Sequence, residues 1–325
     1  VSPQTPECLP ALGVEQRRAT RLDLARWLVH DDHPLTARVV VNRLWNRYFG
    51  QGFTTVLIDI GSQTEPPTHQ ALLDWLAVDF VEHGWDVKRL VRQIVTRHAY
   101  RQSSTPRPEL EAIDPENRLL ARQSRHRLEA EQIRDLALGV SGLLRREVGG
   151  AVSRPYQPEG YYAALNFPTR TYEASSDEQQ YRRSIYVHWQ RQFLHPWLVA
   201  FDAPTREECT ARRPISNTPS AALVLLNDPS FVEAAKALAG RALSEGGNDD
   251  RQRLAWVWET TLTRKPKDAE TESLKNLLRK SREKYLDDPQ AAAALLSIGL
   301  SEPRGDVPAP EQAAWTTVCR VLLNL

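Results

Sequence analysis

Apolar residues recur at helical spacing through the first hundred positions. In RLDLARWLVH, Leu22, Ala25, Leu28 and Val29 fall on one face. In HPLTARVVVNRLWNRYFG the stripe is Val41, Leu44, Trp45 and Tyr48, with Pro34 suited to the first helical position and Gly50 as the stop. THQALLDWLAVDFVEHG reads as a helix capped by Thr68, carrying Leu72, Leu73, Leu76 and Phe80 and ending before Gly84. DVKRLVRQIVTRHAY starts on Asp86 and turns Leu90, Val91, Ile94 and Val95 inward. The same phases make Trp45 and Trp75 expected core residues. Short links between these helices imply that neighbours pack together.

A polar, proline-containing stretch, SSTPRPELEAIDPEN, leads to a further helix from about Arg127 to Leu144. Periodicity then fails from Gly149 to Gln180, longer than an ordinary loop. RRSIYVHWQR alternates Ile185, Val187 and Trp189 and predicts one strand. Helical patterns return in TPSAALVLLN, DPSFVEAAKALAGRALSEG, RLAWVWETTL, AETESLKNLLRKSREKYL, PQAAAALLSIG and EQAAWTTVCRVLLNL. The expected fold is mainly α, a multi-helix domain with a small β element and a long irregular central segment. Residues 1–20 read as a linker, 21–245 as the main helical body with its irregular segment at 149–180, and 246–325 as a C-terminal helical part packed on it.

Composition narrows the function classes. The 42 Lys+Arg and 41 Asp+Glu of the 325 residues nearly cancel, which gives no support to a general nucleic-acid surface. No apolar run reaches membrane-spanning length. The chain contains no Met, so it reads as a piece of something longer, and VSPQTPECLPALGVEQ lacks a signal-peptide pattern. Cys8, Cys209 and Cys319 show neither a zinc-site spacing nor a CxxCH haem attachment, which leaves buried or free thiols, or one disulfide.

Three blocks then carry a resemblance: TARVVVNRLWNRYFGQGF, GSQTEPPTHQALLDWLAVDFVEHGWDVKRLVRQIVTRHAYRQSS and DPENRLLARQSRHRLEAEQIRDLALGVSGLL. Together with RPYQPEGYY, RRSIYVHWQR, HPWLVAFDAPTREECTARRPISNTPSAALVLLNDPSFVEAA and LTRKP, in that order, the chain resembles the planctomycete-type domain of unknown function number 1553. The similarity runs from about Arg21 to Leu325. It implies the C-terminal module of an exported protein with a cytochrome-c-like domain upstream. Haem is then expected only in that upstream domain, with no cofactor in this fragment, and the upstream domains become expected partners. The chain departs from the family at His33-Pro34, where Asn-Pro is common, and at Ser220-Ala221, where Leu-Gln is usual and an amide facing a ligand is lost. It also has Val, Leu or Trp at occasional Met positions.

Four constellations offer chemistry. In GSQTEPPTH, Glu65 and His69 form an acid/base pair if the Pro66-Pro67 corner turns both toward one substrate atom, while the same residues also serve a helix start. In RQSRHRLEAEQIRD, Glu131 and Asp135 share a helix face at i,i+4, a spacing for a divalent ion or an acid/base pair, or for a solvated charged face. In DAPTREECTARRPISNTP, Arg206, Arg212, Arg213 and Asn217 precede the Thr218-Pro219 helix start, a setting for a carboxylate, sulfate or phosphate. Alternatively, Asp202, Glu207 and Glu208 neutralise these arginines. In RPYQPEGYYAALNFPTRTY, Tyr156, Tyr161, Tyr162, Phe167 and Tyr172 offer stacking platforms for sugar rings, or a loop folded onto helices. No GxSxG, P-loop or dinucleotide fingerprint is present.

Two functions stay open. One is an accessory module that binds extracellular carbohydrate or a partner domain. The other is an enzyme acting on polysaccharide or another acidic substrate through Glu65, His69, Glu131 and Asp135.

Overall fold

The computed structural model describes residues 5–14, 17–61, 64–164, 171–191 and 193–325. The chain forms two compact units, Val1–Arg127 and Leu128–Leu325. As the periodicity predicts, it is mainly α.

The first unit is built on α1 (Arg21–Leu28), α2 (Thr36–Phe49), α3 (Gln70–Glu82) and α4 (Val87–Thr96), followed by single turns α5 (His98–Arg101) and α6 (Pro108–Glu111). α2 ends where Gly50 adopts φ +76, the left-handed cap that an L side chain rarely takes. Asp86 caps α4 by accepting from Arg89 N. The core of this unit joins Val41, Trp45 and Phe49 to Leu73, Leu76 and Phe80, with Leu90 and Ile94 closing it. Trp45 stacks on Phe49 at 4.2 Å between centroids and lies 4.4 Å from Phe53. Buried Asn42 then fixes the chain beyond α2, accepting from Phe53 N (2.7 Å) and donating to Thr54 Oγ1 (2.9 Å).

Several expectations for this unit fail. Trp75 is 54% exposed, because at about 100° per residue it lies roughly 200° around α3 from Leu73. It shares an outward face with Leu72 and Val78 instead. The apolar face assigned to α1 is also outward: Leu22, Leu28 and Val29 are exposed and no α1 residue is buried. α2 begins at Thr36, two residues past Pro34. Thr68 does not cap α3; its N–H donates to Phe53 O, and His69 occupies the cap position without a side-chain bond to the helix N-terminus.

The second unit contains α7 (Ala130–Ser141), α8 (Pro196–Ala200), α9 (Pro219–Asn227), α10 (Pro229–Glu245), α11 (Asp250–Leu262), α12 (Asp268–Asp287), α13 (Pro289–Leu296) and α14 (Ala309–Leu322). α7 is shorter than the expected 127–144 because Gly142, at φ +84, ends it. Thr218 precedes α9 without a side-chain bond, whereas Asp228 does cap α10 through Ser230 N. α10 packs chiefly on α14 and α7, and α14 in turn on α12 and α13. Leu238, Leu254, Trp258, Leu278, Trp315 and Val318 are part of one core that continues without a break across Gly246. A second cluster places Trp197, Leu198 and Phe231 against α7. Arg282 clamps this bundle, reaching Asp250 (2.5 and 2.8 Å) and Glu311 (2.7 and 2.6 Å) together.

The predicted strand is absent. Residues Glu178–Tyr181 and Ser184–Tyr186 form 3-10 turns, and among the described residues the β element reduces to the isolated bridges Arg145↔Arg182 and Ser153↔Val187. Alternation put Ile185 and Val187 on one side, yet Ile185 is 69% exposed while Val187 is buried, since no neighbouring strand pairs the segment. Side chains hold it in place. Fully buried Arg134 of α7 donates to the carbonyls of Arg182 (2.9 Å) and Gln180 and to Ser184 Oγ (3.3 Å). Arg182 in turn holds the carbonyls of Gly149 and Ala151. Burial lowers the Arg134 pKa to about 10, still protonated at neutral pH.

His195 pins the other end of the segment through Nε2 and Tyr156 O at 2.6 Å. Cys319 is buried, Cys8 and Cys209 are exposed, and all three are free. No helix of the described residues is long and apolar enough to cross a membrane.

These placements make two outcomes measurable. Trp45→Ala should cost about 3–5 kcal/mol, whereas Trp75→Ala should stay within about 0.5 kcal/mol of wild type. Equal losses in urea titrations of the two variants would contradict the assigned faces of α2 and α3.

Burial lowers the His195 pKa from 6.5 to about 4. The unfolded chain therefore takes up this proton near pH 6.5 and the folded chain only near pH 4, so stability falls as pH drops through that window. The pKa gap of about 2.5 units corresponds to about 3 kcal/mol. The unfolding free energy of wild type from urea titrations should fall between pH 7 and pH 4 by about that much more than that of His195→Gln. Parallel pH profiles would show that His195 does not carry the effect.

Candidate functional site

The pairs suggested by spacing are mostly drawn to other partners. In the first unit, Glu65 is ion-paired with Arg118 at 3.2 Å. His69 meets Thr68 Oγ1 through Nδ1 at 3.1 Å and lies edge-on to Phe53. Among the described residues no hydrogen bond or ion pair joins Glu65 to His69.

Glu131 and Asp135 lie in the second unit, and they too part company. Asp135 accepts from Ser184 N at 2.7 Å. Glu131 receives both arms of Arg213 at 2.6 and 3.1 Å, with Glu129 also near Arg213 at 3.3 Å. Burial pushes the Glu131 carboxyl up, but the Arg213 hydrogen bonds, a backbone hydrogen bond and the charges of Arg213 and Arg206 together outweigh it and hold the pKa below the usual value. Arg206 covers the Trp189 ring at 3.6 Å and approaches Glu131 at 4.0 Å. Arg212 and Asn217 are exposed on the same loop.

So Glu131 of the second constellation and Arg206 and Arg213 of the third belong to one ion-pair network. No spacing rule links Glu131 to Arg213 across 82 positions. A groove of about 370 Å³ beside this loop is lined by Asp202, Glu207 and Glu208, an acidic wall rather than an anion cradle.

The aromatic segment folds on itself. Tyr161 lies 4.6 Å from Phe193 and donates to Leu194 O, while Tyr172 donates to Pro155 O and packs on buried Tyr162. Phe167 lies outside the described residues. Within the described residues no group of three or more His, Cys, Asp or Glu converges in a way that could hold a metal ion.

A cleft of about 480 Å³ gathers residues that sequence reasoning passed over. Its first wall is the end of α7. The Gly142 turn lets Leu143 N and Leu144 N both reach Leu138 O at 3.0 Å, and Arg145 N then donates to Tyr181 O at 2.9 Å. That bond brings in the second wall, Ser176 to Tyr181, where Asp177 caps the turn by accepting from Gln179 N at 3.0 Å. Leu300 and Ser301, just past α13, form the third wall. Arg145 and Glu178 pair across the mouth, 45% and 68% exposed.

Behind the cleft lies Glu233 of α10, 1% exposed. It accepts from Tyr181 OH (2.7 Å), Tyr156 OH (2.9 Å) and Ser301 N (2.6 Å). Burial, reinforced by the Glu233 carboxylate, drives both phenols far above their usual pKa, so they remain donors. A hint existed in the sequence only as VEAAK, an ordinary i,i+3 charge pair.

Neither a curated protein nor a solved structure matches the chain. The profile of PSD1, protein of unknown function (DUF1553), matches residues 20–278. That stretch takes in the aromatic core of the first unit, the helix that ends at the cleft and the helix that carries Glu233, and by it the chain belongs to the PSD1 (DUF1553) family.

Proposed function

We propose that the chain is a noncatalytic accessory module of an exported cytochrome-c-type protein, and that the cleft of its second unit binds a neutral, hydroxyl-rich ligand such as an oligosaccharide segment. The cleft itself carries this reading. It sets one guanidinium and two carboxylates, Arg145, Asp177 and Glu178, beside the aliphatic Leu143, Leu144 and Leu300. Vicinal hydroxyls offer donors to a carboxylate and acceptors to a guanidinium, and the C–H face of a sugar ring rests on aliphatic side chains.

Magnitudes favour this place over the arginine loop. The exposed Arg145–Glu178 pair is worth at most about 1 kcal/mol, so ligand hydroxyls can insert into it at little cost. Arg213 and Glu131 are only 23% and 18% exposed and bonded twice, and an anion would have to displace that carboxylate. Acid/base chemistry has less support, because Glu65, Glu131 and Asp135 each serve a separate partner.

Calorimetric titration with neutral and uronic-acid oligosaccharides tests the reading. Neutral ligands should bind wild type, the acidic ones more weakly, and the Arg145→Ala/Glu178→Ala variant should lose at least tenfold in affinity with its fold intact. Equal binding by wild type and variant would move the site elsewhere. Release of reducing ends that Glu131→Gln or His69→Ala abolishes would make the chain an enzyme.

A further inference from the structure

Three residues of the cleft, Tyr181, Leu300 and Ser301, are held from behind by one polar cage. Glu233 accepts from Tyr181 OH and Ser301 N, while Tyr156 OH donates to Glu233 and accepts from Leu300 N at 3.0 Å. One turn along α10, Lys236 is also 1% exposed. Its ammonium donates to Leu296 O (3.0 Å), at the end of α13, and to Ile298 O (2.7 Å) and Ser301 O (2.5 Å) of the strap that follows, using all three protons. The strap has no helical or strand bonds of its own between Ile298 and Ser301. At its centre Gly299 takes φ +82, and a Cβ there would stand 2.2 Å from the Glu233 carboxyl carbon.

A buried charged pair is a poor way merely to fill a core, since apolar residues of similar volume often pack as well or better. What the pair supplies is direction: its bonds end on the last residue of α13, on the strap or on a tyrosine of the irregular segment.

We infer that Glu233 and Lys236 are positioning residues that set the strap as the specificity wall of the cleft. The inference rests on the ligand reading above only for what the wall selects. The setting of the wall concerns the free protein, and it has a readout that needs no ligand.

Hydrogen exchange of the full chain reads the wall. In Glu233→Gln, and in the milder Tyr156→Phe, the amides of Leu300 and Ser301 should exchange at least tenfold faster, while those of α11 and α14 keep wild-type rates. Unchanged exchange at Leu300 and Ser301 would overturn the positioning role. Acceleration throughout the α10–α14 core in both variants would also overturn it, reducing the cage to general stability.

Titration with the neutral oligosaccharide that binds wild type reads what the wall selects. Tyr156→Phe removes no side chain that lines the cleft, yet it frees Leu300 N, so it should lose about tenfold in affinity. Full affinity in Tyr156→Phe with faster exchange at Leu300 would remove the strap from the site. If wild type binds none of the oligosaccharides while exchange behaves as stated, the ligand reading falls, the specificity role with it, and the positioning role stands.

Discussion

A helix covered on nearly every side has nowhere to put a charge except inside. α10 is such a helix: from Ser230 to Lys236 every residue is buried, and α7, α9, α11 and α14 all pack on it. Its Glu and Lys must therefore find partners within the fold, since an uncompensated buried charge costs several kcal/mol. The partners come mainly from two irregular stretches, the tyrosines of 149–181 and the strap after α13. Both stretches lack regular backbone pairing, and each backbone group that leaves water needs a bond. Satisfying the helix and ordering the loops are one transaction, and the cleft forms where the two loops meet the end of α7.

Arg134 applies the same logic to the other side of the segment. Its planar fork gathers carbonyls that a second strand would otherwise have paired, so the chain there needs no sheet. The alternating RRSIYVHW was thus a misleading signal: period two reports which residues can face inward, not whether a partner strand exists. The helices were legible because their signals are local. Gly50, Asp86 and Asp228 mark ends whose chemistry is settled within one turn. Trp75 failed for a different reason. An aromatic residue in an apolar run was assigned inward, when the buried positions Leu73, Leu76, Ala77 and Phe80 already define a face that excludes it.

The site was illegible for want of range. Glu131 with Arg213, Tyr156 with Glu233, and Lys236 with Ser301 are separated by 82, 77 and 65 positions. Each residue read alone looks like an ordinary surface charge or a stray aromatic. Near-neutral composition hides them further, because 42 cations and 41 anions give no patch to point at. In the second unit much of that balance is spent in specific internal pairs, Arg282 between Asp250 and Glu311 being the fullest example.

The cysteines turn this architecture into an instrument. Cys319 lies in the α14 face of the core, fully covered, and burial drives its thiol far above the ordinary range, so it meets a reagent only when the bundle opens. Cys8 and Cys209 are open to solvent, one in each unit. After those two are blocked, every later modification event counts an opening of the α10–α14 core. The chain thereby carries its own clock for how often that core breathes, with no mutation needed.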